Sequence, residues 1–300
     1  MDIKEEILKL KKDRKSVILA HNYQLPEIQD TADYLGDSLE LAKISQRLDS
    51  ELIVFCGVKF MAETAKILSP RKTVLLPAED AGCPLADSIT KEELLSLKSR
   101  YPQAKVVSYV NTLAEIKAET DVCCTSANAV EVVRNIESRQ IIFVPDKNLG
   151  AWVKKKVLDK EVIVWQGSCY VHEKFSLEDL EQSRKSHPSA EILVHPECRP
   201  EIQDKADFVL STSGMLRRAN ESSSREFIIG TEYEMIYRLK KDTPSKKFFS
   251  LGESKVCRDM KKITLKELYA SLLENKYGVS LDEDTLSKAE KPLSEMVKYA

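Results

Sequence analysis

Seven cysteines, four histidines and a scatter of acidic and hydroxyl side chains are the reactive groups of this 300-residue chain. The cysteines are Cys56, Cys83, Cys123, Cys124, Cys169, Cys198 and Cys257, and no two form a Cys-x-x-Cys pair. The local signature of a zinc finger or a thioredoxin-type dithiol is therefore missing. Three of the cysteines keep a register: Cys83 to Cys169 is 86 residues and Cys169 to Cys257 is 88. His21, Tyr109 and His195 are spaced by 88 and 86, and so are Asp33, Asp121 and Asp207. Each aspartate heads a short stretch ending in small hydroxyl residues: Gly36-Asp37-Ser38, Cys124-Thr125-Ser126 and Ser211-Thr212-Ser213. A single cysteine is ordinarily a buried structural thiol. Three in register with other reactive side chains imply an internal repeat.

A threefold arrangement would turn Cys83, Cys169 and Cys257 toward one axis and suggests a shared metal centre. With three thiolates and no fourth partner in register, one coordination position stays open, and an open site admits water or substrate as a Lewis-acid ligand. Two centres fit. An iron–sulfur cluster is usually held by four thiolates, and three would leave one iron free. A zinc ion on three cysteines is the alternative, which spacing along the chain does not exclude; the cluster is the reading favoured here. His21, His172 and His195 lie beside the expected strand ends and are candidate functional groups, whereas His187 precedes a proline in a polar loop. Ser38, Thr125, Ser126, Ser211 and Thr212 precede segments readable as helices. Such positions either cap a helix or hold carboxylate and phosphate groups.

The elements that must position these residues repeat as well. The run of residues 16–21 matches 106–109 and 191–195, 52–55 matches 141–144 and 227–230, and 74–76 matches 162–165 and 248–250. These runs have strand length and β-branched content, and stretches of helical period such as 60–68 and 149–157 alternate with them. Thr90, Ser176 and Thr264 stand at helix N-cap positions with acidic residues following. Alternation of this kind implies α/β modules with parallel sheets, and open sheets of that class bind ligands at the carboxyl ends of their strands. The fold expected is three similar α/β modules with parallel sheets; a pseudo-threefold arrangement of them would bring the registered cysteines around a central metal site, an iron–sulfur site on the favoured reading and a zinc site on the alternative. The modules' bounds are residues 1–87, 88–173 and 174–262, followed by a C-terminal helical extension over 263–300, its tail helical from about 274.

Composition narrows the function classes. The chain is 42% hydrophobic and 31% charged with a net charge of −2, a balance that gives no reason to expect nucleic-acid or membrane-surface binding. No apolar run approaches the length that spans a bilayer, and the charged N-terminal stretch is not a secretory signal. A cytoplasmic protein without a disulfide framework is expected. Dinucleotide, Walker A and nucleophile-elbow motifs are absent.

Several stretches are recognisable. They include Ala20-His21-Asn22-Tyr23-Gln24, Phe60-Met61-Ala62-Glu63-Thr64-Ala65-Lys66, Ala81-Gly82-Cys83 and Tyr109-Val110-Asn111-Thr112. Further on stand Cys124-Thr125-Ser126-Ala127-Asn128, Trp165-Gln166-Gly167-Ser168-Cys169-Tyr170-Val171-His172 and His195-Pro196-Glu197-Cys198. In these the chain resembles the quinolinate synthase family almost end to end. The resemblance implies an enzyme of NAD biosynthesis with a 4Fe-4S cluster on Cys83, Cys169 and Cys257. It implies condensation of iminoaspartate with dihydroxyacetone phosphate to quinolinate, with loss of phosphate and water, and a functional link to an L-aspartate oxidase. Carried over by position, His21, Tyr23, Tyr109, His195 and Glu197 would be catalytic and contact substrate, with Glu197 a general acid or base. Ser38, Asn111, Ser126, His172, Ser211 and Thr212 would hold substrate. The segment around Cys257 matches less closely than the other two, and Gln166 stands where a proline is expected. A related three-module cluster enzyme, a non-catalytic cluster sensor and a metal-free phosphate-binding module are the competing readings. The first lacks the local motifs, the second has no need of a polar substrate cage, and the third leaves the registered cysteines unexplained.

Overall fold

The apolar runs become strands, and the strands group into three parallel four-stranded sheets in the computed structural model, which describes residues 2–299. The first module comprises α1 (Ile3–Asp13), β1 (Ser16–His21), α2 (Pro26–Thr31), β2 (Tyr34–Gly36), α3 (Ser38–Arg47), β3 (Leu52–Cys56), α4 (Lys59–Leu68) and β4 (Thr73–Leu75). The second repeats the order with α5 (Lys91–Arg100), β5 (Lys105–Tyr109), α6 (Ala114–Lys117), β6 (Val122–Cys124), α7 (Ala129–Asn135), β7 (Gln140–Val144), α8 (Lys147–Lys156) and β8 (Glu161–Val164). The third has α9 (Leu177–Ser186), β9 (Glu191–Val194), α10 (Pro200–Lys205), β10 (Phe208–Val209), α11 (Thr212–Glu221), β11 (Glu226–Gly230), α12 (Met235–Asp242) and β12 (Lys247–Ser250).

Each sheet runs second, first, third, fourth in chain order: β2-β1-β3-β4, β6-β5-β7-β8 and β10-β9-β11-β12. The central strands are buried along almost their whole length. Parallel strands covered on both faces read as continuous apolar runs, which is why the repeat is visible in them. The sequence reading expects three strands per module and the structure has four. The additional strands β2, β6 and β10 are three, three and two residues long, too short to show a period.

The registered aspartates explain how those short strands are tied in. One carboxylate oxygen each of Asp33, Asp121 and Asp207 accepts the N–H of Ile18, Val106 and Ile192, all at 2.8 Å. Thr90, Ser176 and Thr264 begin α5, α9 and α13 (Leu265–Glu274), each in a reciprocal capping box with Glu93, Asp179 and Glu267. Helix α13 thus repeats, 88 residues after α9, the helix that opens each module. It lies against α1, and Arg14 donates to Leu272 O and, at 2.9 Å, to Asn275 Oδ1. The tail is not helical throughout. Residues 275–282 are a connection that pairs along β4, with Val279 N–H donating to Val74 O at 2.8 Å. Helix α14 (Glu283–Lys298) then covers β6, α6 and α4. Among the described residues no helix is long and apolar enough to cross a membrane.

Candidate active site

The carboxyl ends of β1, β5 and β9 meet at one cavity of about 80 Å³, room for several water-sized groups. His21 closes β1, Tyr109 closes β5 and His195 follows β9, so the three registered positions face the same space. Tyr23, Asn111 and Glu197 lie two residues further along each chain and line it too. So do Ser38, Ser126, His172 and Thr212. Ser211 does not line the cavity. Its Oγ accepts the Gly214 N–H at 3.2 Å as the N-cap of α11 and sits 3.1 Å from Ser213 Oγ.

Glu197 is the hub. Its Oε1 accepts the Tyr109 hydroxyl at 2.6 Å and the Asn111 amide at 3.4 Å, and its Oε2 lies 2.8 Å from His172 Nδ1. Burial by itself would raise the Glu197 pKa, but His172, His195 and the Tyr109 hydroxyl outweigh it and hold the carboxyl below its ordinary range. His172 Nε2 lies 2.9 Å from Thr231 Oγ1, which in turn is 2.5 Å from Tyr23 Oη. Burial, reinforced by the Glu197 charge, pushes both tyrosines well above 10, so the phenols keep their protons.

His21 and His195 are equivalent in detail. Each Nδ1 accepts the N–H two residues on, Tyr23 at 3.2 Å and Glu197 at 3.3 Å. Burial, with Lys261 adding to it at His21, pushes both rings down to about 3. A neutral ring whose Nδ1 accepts carries its proton on Nε2. His195 Nε2 is 3.1 Å from Ser126 Oγ.

The seven cysteines separate into two groups. Cys83, Cys169 and Cys257 line the cavity and are partly exposed, whereas Cys56, Cys123, Cys124 and Cys198 are buried elsewhere. Each lining thiol stands three residues before a short 3₁₀ turn, Ala86–Ser88, His172–Lys174 or Met260–Lys262. Backbone N–H groups of those turns point at the sulfurs: Ala86 and Leu85 at Cys83, His172 and Val171 at Cys169, Met260 at Cys257. Burial nevertheless raises all three thiols, Cys83 to about 12. They become thiolates only beside a cation, which is what a metal centre supplies.

Sequence reasoning missed four groups that complete the site. Asp37 lines the cavity, caps α3 through Leu39 and Glu40, and accepts the Ser213 hydroxyl at 2.5 Å. Glu232 is fully buried, accepts the Cys257 N–H at 3.1 Å and pairs with Lys261 at 2.8 Å. Tyr170 Oη accepts the Arg258 N–H at 2.8 Å and steadies the same loop. Thr231 bridges Tyr23 and His172. Glu232 had a signal, since Val58, Asp146 and Glu232 keep the 88 and 86 spacing at the ends of β3, β7 and β11. His187 stacks on Phe249 at 3.6 Å and does not line the cavity.

The profile of the family described as Quinolinate synthetase A protein (NadA) matches residues 5–298. A quinolinate synthase of Thermodesulfovibrio yellowstonii is 52% identical over 293 residues, covering 98% of this chain and 97% of its own. One from Pyrococcus horikoshii is 52% identical over 301 residues, covering 100% of both chains. A third, from Caldicellulosiruptor bescii, is 50% identical over 296 residues, covering 99% and 98%. On these matches, the chain belongs to the quinolinate synthetase A family.

Proposed function

We propose that the chain condenses iminoaspartate with dihydroxyacetone phosphate to quinolinate, releasing phosphate and two waters, with a 4Fe-4S cluster held by Cys83, Cys169 and Cys257. The observation that carries this reading is the sorting of the cysteines: the three in register face one cavity together with Glu197, Tyr109 and His172. Their spacing favours a cluster over zinc. Thiolates on one zinc, at about 2.3 Å each in tetrahedral array, stand roughly 3.8 Å apart. Among the described residues the three ligand-type atoms within 4.8 Å of one another are those of Cys169, His172 and Glu197, not the three thiols. When bound, a cluster on three thiolates supplies one open iron as a Lewis acid for a substrate oxygen.

The chain's own groups provide the rest. Ser38, Ser126 and Thr212 present hydroxyls at or just before helices that begin at the cavity, suited to carboxylate and phosphate oxygens. The Asn111 amide and the Nε2–H of neutral His21 add donors for the same oxygens. Tyr23 and Tyr109 keep their protons throughout the neutral range and serve as hydrogen-bonding groups beside the ring-forming atoms. Glu197, ionised at neutral pH, accepts the 2.6 Å hydrogen bond from the Tyr109 hydroxyl and so orients the phenol in the cavity. An L-aspartate oxidase reaction is the source of iminoaspartate in this reading.

The test is turnover by the anaerobically reconstituted protein. Quinolinate is expected from the two substrates, and Glu197→Gln is expected to lower kcat by roughly a hundredfold or more while the cluster stays bound. Wild-type turnover in the variant would remove Glu197 from the mechanism, and no quinolinate from the wild type would reject the function.

A further inference from the structure

The turns that carry the site residues are held from behind in the same way three times. In α2, Gln29 Nε2 donates to the carbonyls of Asn22 at 3.1 Å and Gln24 at 2.9 Å. In α10, Gln203 Nε2 donates to those of Pro196 at 2.8 Å and Cys198 at 2.7 Å. Both glutamines also reach a third carbonyl at the start of a helix in another module, Glu234 at 3.4 Å and Asn148 at 3.3 Å. The register position in α6 is Lys117, 88 residues after Gln29 and 86 before Gln203. Its Nζ donates to Val110 O at 2.9 Å and to Thr112 O, the equivalent pair. The counterpart of the third acceptor is Phe60, whose carbonyl is already taken by Thr64 Oγ1 at 2.8 Å.

A fully buried lysine thus stands where the other modules have an amide. Among the described residues no carboxylate lies within 4 Å of it; Glu63 of α4, itself buried, accepts the N–H of Ala114 in the first turn of α6 through Oε2 at 2.9 Å and acts on the ammonium only at longer range. Glu63 is the acidic residue of the Met61-Ala62-Glu63-Thr64-Ala65-Lys66 stretch, for which the site has no other use. Its register counterparts are Ala151 and Tyr237, so the acid occurs only opposite the lysine.

We infer that Lys117, on the helix whose first turn Glu63 holds through the Ala114 N–H, is a positioning residue that clamps the turn of residues 109–112 and so sets Tyr109 and Asn111 against Glu197. Its bearing on turnover rests on the proposed function; the clamp itself does not. The ammonium never meets substrate. It fixes two carbonyls of the turn, and the turn delivers the phenol and the amide that hold Glu197 Oε1.

The test compares two double variants in the anaerobic holoenzyme, both without the buried charges: Lys117→Met with Glu63→Gln, and Lys117→Gln with Glu63→Gln. The methionine lacks the donor; the glutamine restores the one the other modules use. Hydrogen exchange by mass spectrometry should show residues 109–113 of the methionine variant exchanging roughly tenfold faster, with residues 21–25 and 195–199 unchanged. Its kcat should fall roughly tenfold or more with cluster content unchanged. The glutamine variant should return both toward wild type. Unchanged exchange at 109–113, equal acceleration of all three turns, or local acceleration with unaltered kcat and KM would each overturn the inference. If the methionine variant does not fold, the glutamine variant decides: wild-type exchange at 109–113 supports the clamp and acceleration there overturns it. If wild-type protein makes no quinolinate, the proposed function falls and the exchange pattern alone judges the clamp.

Discussion

His21 and His195 are buried as neutral rings, and that state has a cost that grows with acidity. An exposed imidazole titrates near 6.5, whereas both folded rings are pushed down to about 3. Between those values the unfolded chain binds protons that the folded chain refuses, so stability falls as pH drops below about 6.5. Glu197 acts in the same direction, because its depressed pKa stabilises the fold above the ordinary carboxylate range and that contribution disappears as it protonates. At pH 5 each histidine costs about 2 kcal/mol relative to neutral pH. Urea midpoints of the metal-free chain at pH 8, 6.5 and 5 should therefore decline, and His21→Gln should flatten the decline between 6.5 and 5. An identical slope in that variant would contradict the neutral buried ring. At this scale the cysteines, histidines and Glu197 were legible because they follow ends of strongly apolar strands. Thr231 and Tyr170 were not, since their roles come from partners 208 and 88 residues away.

The elements owe their visibility to local chemistry. Three capping boxes were readable at Thr90, Ser176 and Thr264 because cap and acid lie within one turn. The strands β2, β6 and β10 left no pattern, and only the aspartate before each betrayed them. That aspartate does a definable job: it accepts a central-strand N–H and pairs with Lys11, Lys105 or Arg184 at 2.7, 2.8 and 3.3 Å. Asp121→Ala would strand the buried Val106 N–H at the base of β5 and should cost about 1–3 kcal/mol. Asp121→Asn keeps an acceptor oxygen and should cost clearly less. Chemical denaturation of both variants checks this, and equal losses would show that the strand N–H is not what the aspartate serves.

The whole molecule is three copies of one fold closed by a tail that is not a fourth. Periodicity announced the copies, but not where the tail packs. Helix α13 matches the helix that opens each module, but a connection and α14 come after it in place of a first strand, and it docks on the first module beside α1. Helix α14 buries Ala289, Leu293 and Met296 over the second module, where Asn128 Nδ2 donates to Met296 O at 3.1 Å. Burial of side chains the size of Leu293 and Met296 contributes about 1.5–3 kcal/mol each. Removing residues 282–300 should lower stability by several kcal/mol on that scale and uncover β6; an unchanged urea midpoint would mean that α14 is dispensable to the fold. Convergence of the three registered cysteines on one iron–sulfur site is checked by counting iron and sulfide per chain after anaerobic purification. The wild type, Cys56→Ala and Cys198→Ala should each carry about four irons and four sulfides, and Cys83→Ala, Cys169→Ala and Cys257→Ala should carry none. A full complement in any of those last three, or one zinc per wild-type chain in place of iron, would contradict it.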